Sequence, residues 1–196
     1  MNSYIHRFAA FLIATVLAVF FGPGLASAAK ARTPAAPPGT SMLSLPLLRL
    51  SAPVPTRWVS QPAGNAMRLA QFQVPGESRQ EDAEVIFFYF GQGEGGSVED
   101  NIARWQSQFS SADANPITPI VQHLAVSGMP VTTVELTGSY ARAMGMVTSG
   151  APAPDQTLLV AIVESPQGNL TIQLYGPRST VSANREDFFA MVRGIR

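Results

Sequence analysis

The chain has 196 residues, with 13 Lys+Arg against 13 Asp+Glu, no cysteine and 46% hydrophobic residues. Balanced charge excludes the basic field that draws nucleic acid or anionic lipid. The missing cysteine excludes disulfides, thiolate nucleophiles and cysteine metal sites, so stability has to come from apolar burial.

Residues 1–28 read as a signal peptide. His6 and Arg7 give a positive start, Phe8 to Phe21 is apolar, Gly22-Pro23-Gly24 breaks the run and Ala26-Ser27-Ala28 offers a small-x-small cleavage site. An uncleaved anchor is the competing reading, but the run falls short of the ~20 apolar residues a span needs. The expected location is extracytoplasmic, periplasmic or secreted, with no membrane attachment after cleavage. Cleavage after Ala28 removes Arg7 alone among the charged residues, leaving 12 cations against 13 anions and a charge of −1. Residues 29–44, holding Lys30 and rich in Pro and Ala, read as a flexible linker, because such residues bury too little to offset chain entropy. Residues 45–196 are expected to form a single α+β domain.

A first short strand is expected around Leu47, Leu48 and Leu50, with Trp58 folding back over a sheet edge. Strands follow at 67–74 and 84–90. The second of these, Val85-Ile86-Phe87-Phe88-Tyr89-Phe90, is apolar on both faces and belongs in the middle of a sheet. A helix is predicted from 97 to about 110, because Val98, Ile102, Trp105 and Phe109 form one stripe of a 3.6-residue period. Ser97 suits its N-cap, and Glu99 and Asp100 suit the positive end of its dipole. A meander of strands at 117–124, 129–137, 140–148, 158–164 and 170–175 comes next, with turns around Gly138 and at Ser165-Pro166-Gln167-Gly168-Asn169. In the last strand Leu170, Ile172 and Leu174 alternate with Thr171, Gln173 and Tyr175, giving one buried and one polar face. A closing helix over 180–195 puts Val181, Phe188, Val192 and Ile195 on one face. The expected fold class is α+β: a single, mostly antiparallel sheet with two helices packed on it, both on the same side.

Gly91-Gln92-Gly93-Glu94-Gly95-Gly96 matches the G-x-G-x-x-G spacing between a strand and a helix. A dinucleotide site needs backbone amides free for pyrophosphate and an acidic residue at the end of the next strand. Here Glu94, Glu99 and Asp100 crowd the phosphate position and that strand ends in no carboxylate, so the glycines read as a strand-to-helix connection. Glu81, Asp82 and Glu84 read as a solvated acidic patch. Trp105 and the aromatic run 87–90 occupy positions that line a cleft or, more commonly, fill a core; of Phe188 and Phe189 only Phe189 lies off the main stripe, toward exposure.

No catalytic or cofactor-binding residue is assigned, and no cofactor is expected. His123 is the one histidine after residue 28, and a small hydrolase pairing it with a carboxylate such as Glu135 or Glu164 is one alternative. Handling of Cu(I) is another, through the thioethers of Met144 and Met146 with His123 as a further donor; methionine is equally a filler of core gaps.

The order of elements, with the Gln167-Gly168-Asn169 hairpin and the terminal Asp187-Phe188-Phe189-x-Met191-Val192 pattern, resembles the Mog1/PsbP-like fold, which includes the DcrB-type envelope proteins. The segment Glu81-Asp82-Ala83-Glu84, with the apolar strand and glycine loop after it, is similar to uncharacterised exported bacterial proteins. The resemblance implies a non-enzymatic binding or accessory module and carries over no site residue. Its partner would be a protein or small ligand of the cell envelope, not nucleic acid.

Overall fold

A computed structural model of the chain describes residues 37–77, 80–113, 115–141, 143–144, 147–148 and 152–196. The signal-peptide reading and Met146 lie outside these residues. The described chain opens with a hairpin of β1 (Thr40–Leu45) and β2 (Leu50–Pro55), paired from Thr40↔Pro55 to Leu45↔Leu50. Its turn is a short 3-10 helix, Pro46–Leu48, followed by Arg49 at φ 54. Residues 40–44, read from the sequence as linker, are therefore strand. Their composition hides this because pairing with β2, not local burial, satisfies their backbone groups. The prolines of β2 are tolerated because β2 is an edge strand of its own two-stranded sheet, its outer side bonded at Ser51, which exchanges backbone hydrogen bonds with Arg196.

The remaining strands are β3 (Val59–Gln61), β4 (Arg68–Val74), β5 (Ala83–Tyr89), β6 (Phe109–Ser110), β7 (Ile120–Val126), β8 (Met129–Tyr140), β9 (Ala143–Met144), β10 (Val147–Thr148), β11 (Ala153–Ser165) and β12 (Gly168–Pro177). Eight of them form the main sheet in the order β3-β4-β5-β12-β11-β8, with β6 and β7 both paired to β8, and every pairing is antiparallel. The mostly antiparallel expectation thus holds, with β9–β10 as a further two-stranded ribbon where one strand over 140–148 was expected. Gly138 makes no turn. It lies inside β8, where a Cβ would stand 2.4 Å from the Ser110 carbonyl oxygen, so a glycine is what lets β6 approach.

The helices are α1 (Val98–Gln106), α2 (Arg178–Ala183) and α3 (Arg185–Arg193). The Ser97 side chain accepts the Asp100 amide at 3.0 Å, as its sequence position predicts. The helix stops short of the expected end because Phe109 turns into β6, where it pairs with Tyr140 and packs on its ring at 4.7 Å between centroids. One closing helix is in fact two. Asn184, 1% exposed, breaks the helix, donating to the Thr180 carbonyl at 2.8 Å while its Oδ1 accepts the Trp58 indole N–H at 3.0 Å. Trp58 is accordingly a buried strut against the α2–α3 corner and not a cover for a sheet edge.

The helices also lie on opposite faces of the sheet, not on one. Leu159, Ala161 and Val163 of β11 join Leu170, Ile172, Leu174, Val181, Phe188 and Val192 in one cluster. Leu158, Val160 and Ile162 join Trp105, Phe109, Val134 and Leu136 in another. The six consecutive apolar residues Leu158–Val163 demand cover on both sides, which helices on a single side could not give. Trp105 is 2% exposed, and burying roughly 200 Å² of it contributes on the order of 5 kcal/mol.

Candidate functional site

The covers of the two faces differ in extent. A helix is about 10 Å across and strands are ~4.8 Å apart, so one helix shields roughly two strands. On one face α2, α3 and the β1–β2 hairpin together cover the sheet, with α3 reaching β2. On the other face α1 stands alone over β8 and β11. The registers Leu158↔Tyr175, Val160↔Gln173 and Ile162↔Thr171 place three polar or amphipathic residues of β12 on this face, beyond the helix. The next strand adds Glu84, Ile86 and Phe88, opposite Tyr175, Gln173 and Thr171.

Between α1 and these strands is a hollow of about 210 Å³. Its aromatic walls are Phe88, Phe90, Trp105 and Tyr140, and its polar groups come from Asn101, Arg104, Gln108, Thr171 and Gln173. The rings of Phe88 and Phe90 lie parallel within 6°, centroids 6.0 Å apart. Phe90 is 40% exposed. It is placed by the glycine loop: Gly95 has φ +91, and a Cβ there would stand 3.0 Å from the Phe90 ring. The glycines therefore serve a close approach of backbone to an aromatic ring.

The loop does not present a free phosphate cradle. Asn101 Nδ2 donates to the Gly95 and Ser97 carbonyls at 2.7 and 2.8 Å, Ser97 caps the Asp100 amide, and Glu99 and Asp100 occupy the first turn. Arg104 lies over the Trp105 ring at 5.4 Å and donates to Asn101 Oδ1 at 2.6 Å. Arg68 lies over Phe88 at 5.6 Å and donates through Nη1 to Gln71 Oε1 at 2.7 Å. A shallower depression of about 330 Å³ on the sheet involves Gln61, Gln71, Gln73 and Glu84. These amides are linked to one another: Gln61 donates to Gln73 at 3.2 Å and Gln71 to Glu84 at 3.3 Å.

The residues singled out from the sequence are scattered. His123 Nδ1 is 3.1 Å from Thr132 Oγ1. The register sets His123 opposite Thr132 and Ile120 opposite Glu135, so the histidine and Glu135 point to opposite faces, and Glu135 accepts from Arg185 at 3.0 Å. Glu164 is exposed at the end of β11. Asp82 accepts the Gly76 amide at 2.9 Å and a Gln73 amide proton, a structural role in the β4–β5 connection. Phe189 is 8% exposed beneath Arg185 and Arg193, so its place off the stripe does not expose it. Among the described residues no group of three or more His, Asp or Glu is placed to hold a metal ion. Met144 lies in β9, and its pairing with Met146 falls outside the described residues.

Sequence reasoning missed Asn101, Arg104, Gln108 and Tyr140 as a set, because α1, β8 and β12 meet only in three dimensions. The polar alternation of Thr171, Gln173 and Tyr175 was the available signal, and it reads locally as a solvent face.

No family model and no curated protein matches the sequence. The fold is similar to the solution structure of cyanobacterial PsbP (CyanoP) from Synechocystis, with a TM-score of 0.52 at 12% identity over 81% of this chain and 92% of that one. A Pseudomonas aeruginosa protein of unknown function is similar over 79% of this chain and 94% of its own, with a TM-score of 0.45 at 12% identity. The PsbP-like resemblance drawn from element order therefore stands at the level of fold.

Proposed function

We propose that the protein is exported and acts outside the cytoplasm as a non-enzymatic binding or accessory module, engaging a protein or small ligand through the half-covered sheet face. One observation carries this reading: a central part of the sheet is left open beside α1 and is furnished with aromatic rings, amide and hydroxyl groups and the single charge of Arg104. A face meant only for solvent is ordinarily furnished with Lys, Glu and Arg, not with parallel phenylalanines. The PsbP-like fold and the apolar N-terminal segment with its Ala26-Ser27-Ala28 site support it. Among the described residues no helix is long and apolar enough to cross a membrane.

Two measurements test it. Intact mass of the protein recovered from its native host is expected to match a chain beginning at Ala29, and a chain still beginning at Met1 overturns cleavage. Cross-linking in cells is expected to trap a partner that is lost in the double variant Phe90→Ala/Gln173→Leu; a partner retained by that variant overturns the assignment of the face.

A further inference from the structure

Resting on the binding-module reading, we infer that the hollow beside α1 takes a neutral sugar ring, as a free saccharide or as the terminal unit of an envelope glycan. Size sets the first limit. At about 210 Å³ the hollow is smaller than the ~300–1,000 Å³ of typical small-molecule pockets, so it admits one ring-sized unit and not a dinucleotide. Charge sets the second. No carboxylate lines it, and its one formal charge, Arg104, is already laid over Trp105 and bonded to Asn101. The Arg104 charge opposes a cation, and a single guanidinium already engaged gives a polyanion too little field.

The unpaired groups then specify the ligand. The Gln173 amide and the Thr171 hydroxyl line the hollow and make no side-chain hydrogen bond to another described residue. Both groups donate and accept, so a ligand that does the same is matched there. Hydroxyls on adjacent ring carbons also do both. Meanwhile Phe88 and Phe90 present parallel rings, suited to the C–H-bearing face of a pyranose. Polar edge and apolar face in one ring-sized molecule describe a sugar.

An extended peptide fits less well. Strand β12 is paired on both sides, to β11 and β5, so the floor of the hollow offers no free edge for strand addition. A proline-rich peptide needs aromatic walls and no edge, and it is the rival that the experiment must separate.

The purified chain is titrated with N-acetylglucosamine, glucose and their β-1,4-linked oligomers, and separately with a proline-rich decapeptide. Trp105 fluorescence and the side-chain amide resonances of Gln173 and Asn101 are followed. Saturable shifts with at least one saccharide are expected, weakened at least about tenfold in Phe90→Ala and in Gln173→Leu, with melting temperature held. No saturable shift up to about 10 mM of any of these saccharides overturns the sugar assignment. A Phe90-dependent response to the decapeptide alone overturns it too, while leaving the binding-module reading standing. Loss of the cross-linked partner in the double variant tests that broader reading independently.

Discussion

The two faces of the main sheet are built from the same strands and are covered differently. On the closed face Leu170, Ile172 and Leu174 of β12 lie under α2, α3 and the hairpin, all fully buried. On the open face Thr171 and Gln173 border a hollow that α1 covers only along one side, and Tyr175 packs on the Tyr140 ring. β11 needs both covers because Leu158–Val163 is apolar throughout; β12 needs one. A single strand can carry the core on one side and line a hollow on the other, since alternate residues answer to different neighbours. Core packing and the lining of the hollow are thereby separated by one residue of register.

That separation can be broken by measurement. The largest effect is expected at Phe188, fully buried on the closed face: Phe188→Ala should lower unfolding free energy by about 3–5 kcal/mol in urea titration. A loss under about 1 kcal/mol would mean that the closed face does not carry the core. Next comes Asn184→Ala, which leaves the buried Trp58 indole N–H without its acceptor and frees the α2–α3 corner. It should cost about 1–3 kcal/mol, and an unchanged urea midpoint would remove Asn184 as the strut. Ser97→Ala should cost about 1 kcal/mol through the lost cap of α1, visible as a small fall in melting temperature. Smallest of all is Gln173→Leu, expected within about 0.5 kcal/mol of the parent. A large destabilisation there would turn the open half of the sheet into a structural element and erase the contrast between the faces.

Much of this architecture is legible in the residues. The Val98, Ile102, Trp105 stripe and the Ser97 cap mark α1 because both are periodic and local. The apolar run Val85–Tyr89 marks β5 as a central strand. The corrections share another origin. Residues 40–44 become strand only by pairing with β2, Gly138 is needed only because β6 approaches β8, and Asn184 breaks a helix in order to meet Trp58, 126 positions away. The partners of Gly138 and Asn184 lie far outside any local window, and those of residues 40–44 lie across a hairpin whose turn, Pro46–Leu48, reads locally as part of a strand. The opposite placement of the helices was written in Leu158–Val163, whose two apolar faces required two covers.

By itself the sequence determined the charge balance, the absence of cysteine chemistry, the apolar N-terminal segment and the identity of the principal strands and α1. Each of these depends on composition or on contacts a few residues apart. Only the tertiary structure decided which faces are closed, that His123 and Glu135 are separated by the sheet, and that Phe88, Phe90, Gln108, Tyr140 and Gln173 share one hollow. These facts depend on register between distant strands, where a shift of one residue would send every side chain to the other face.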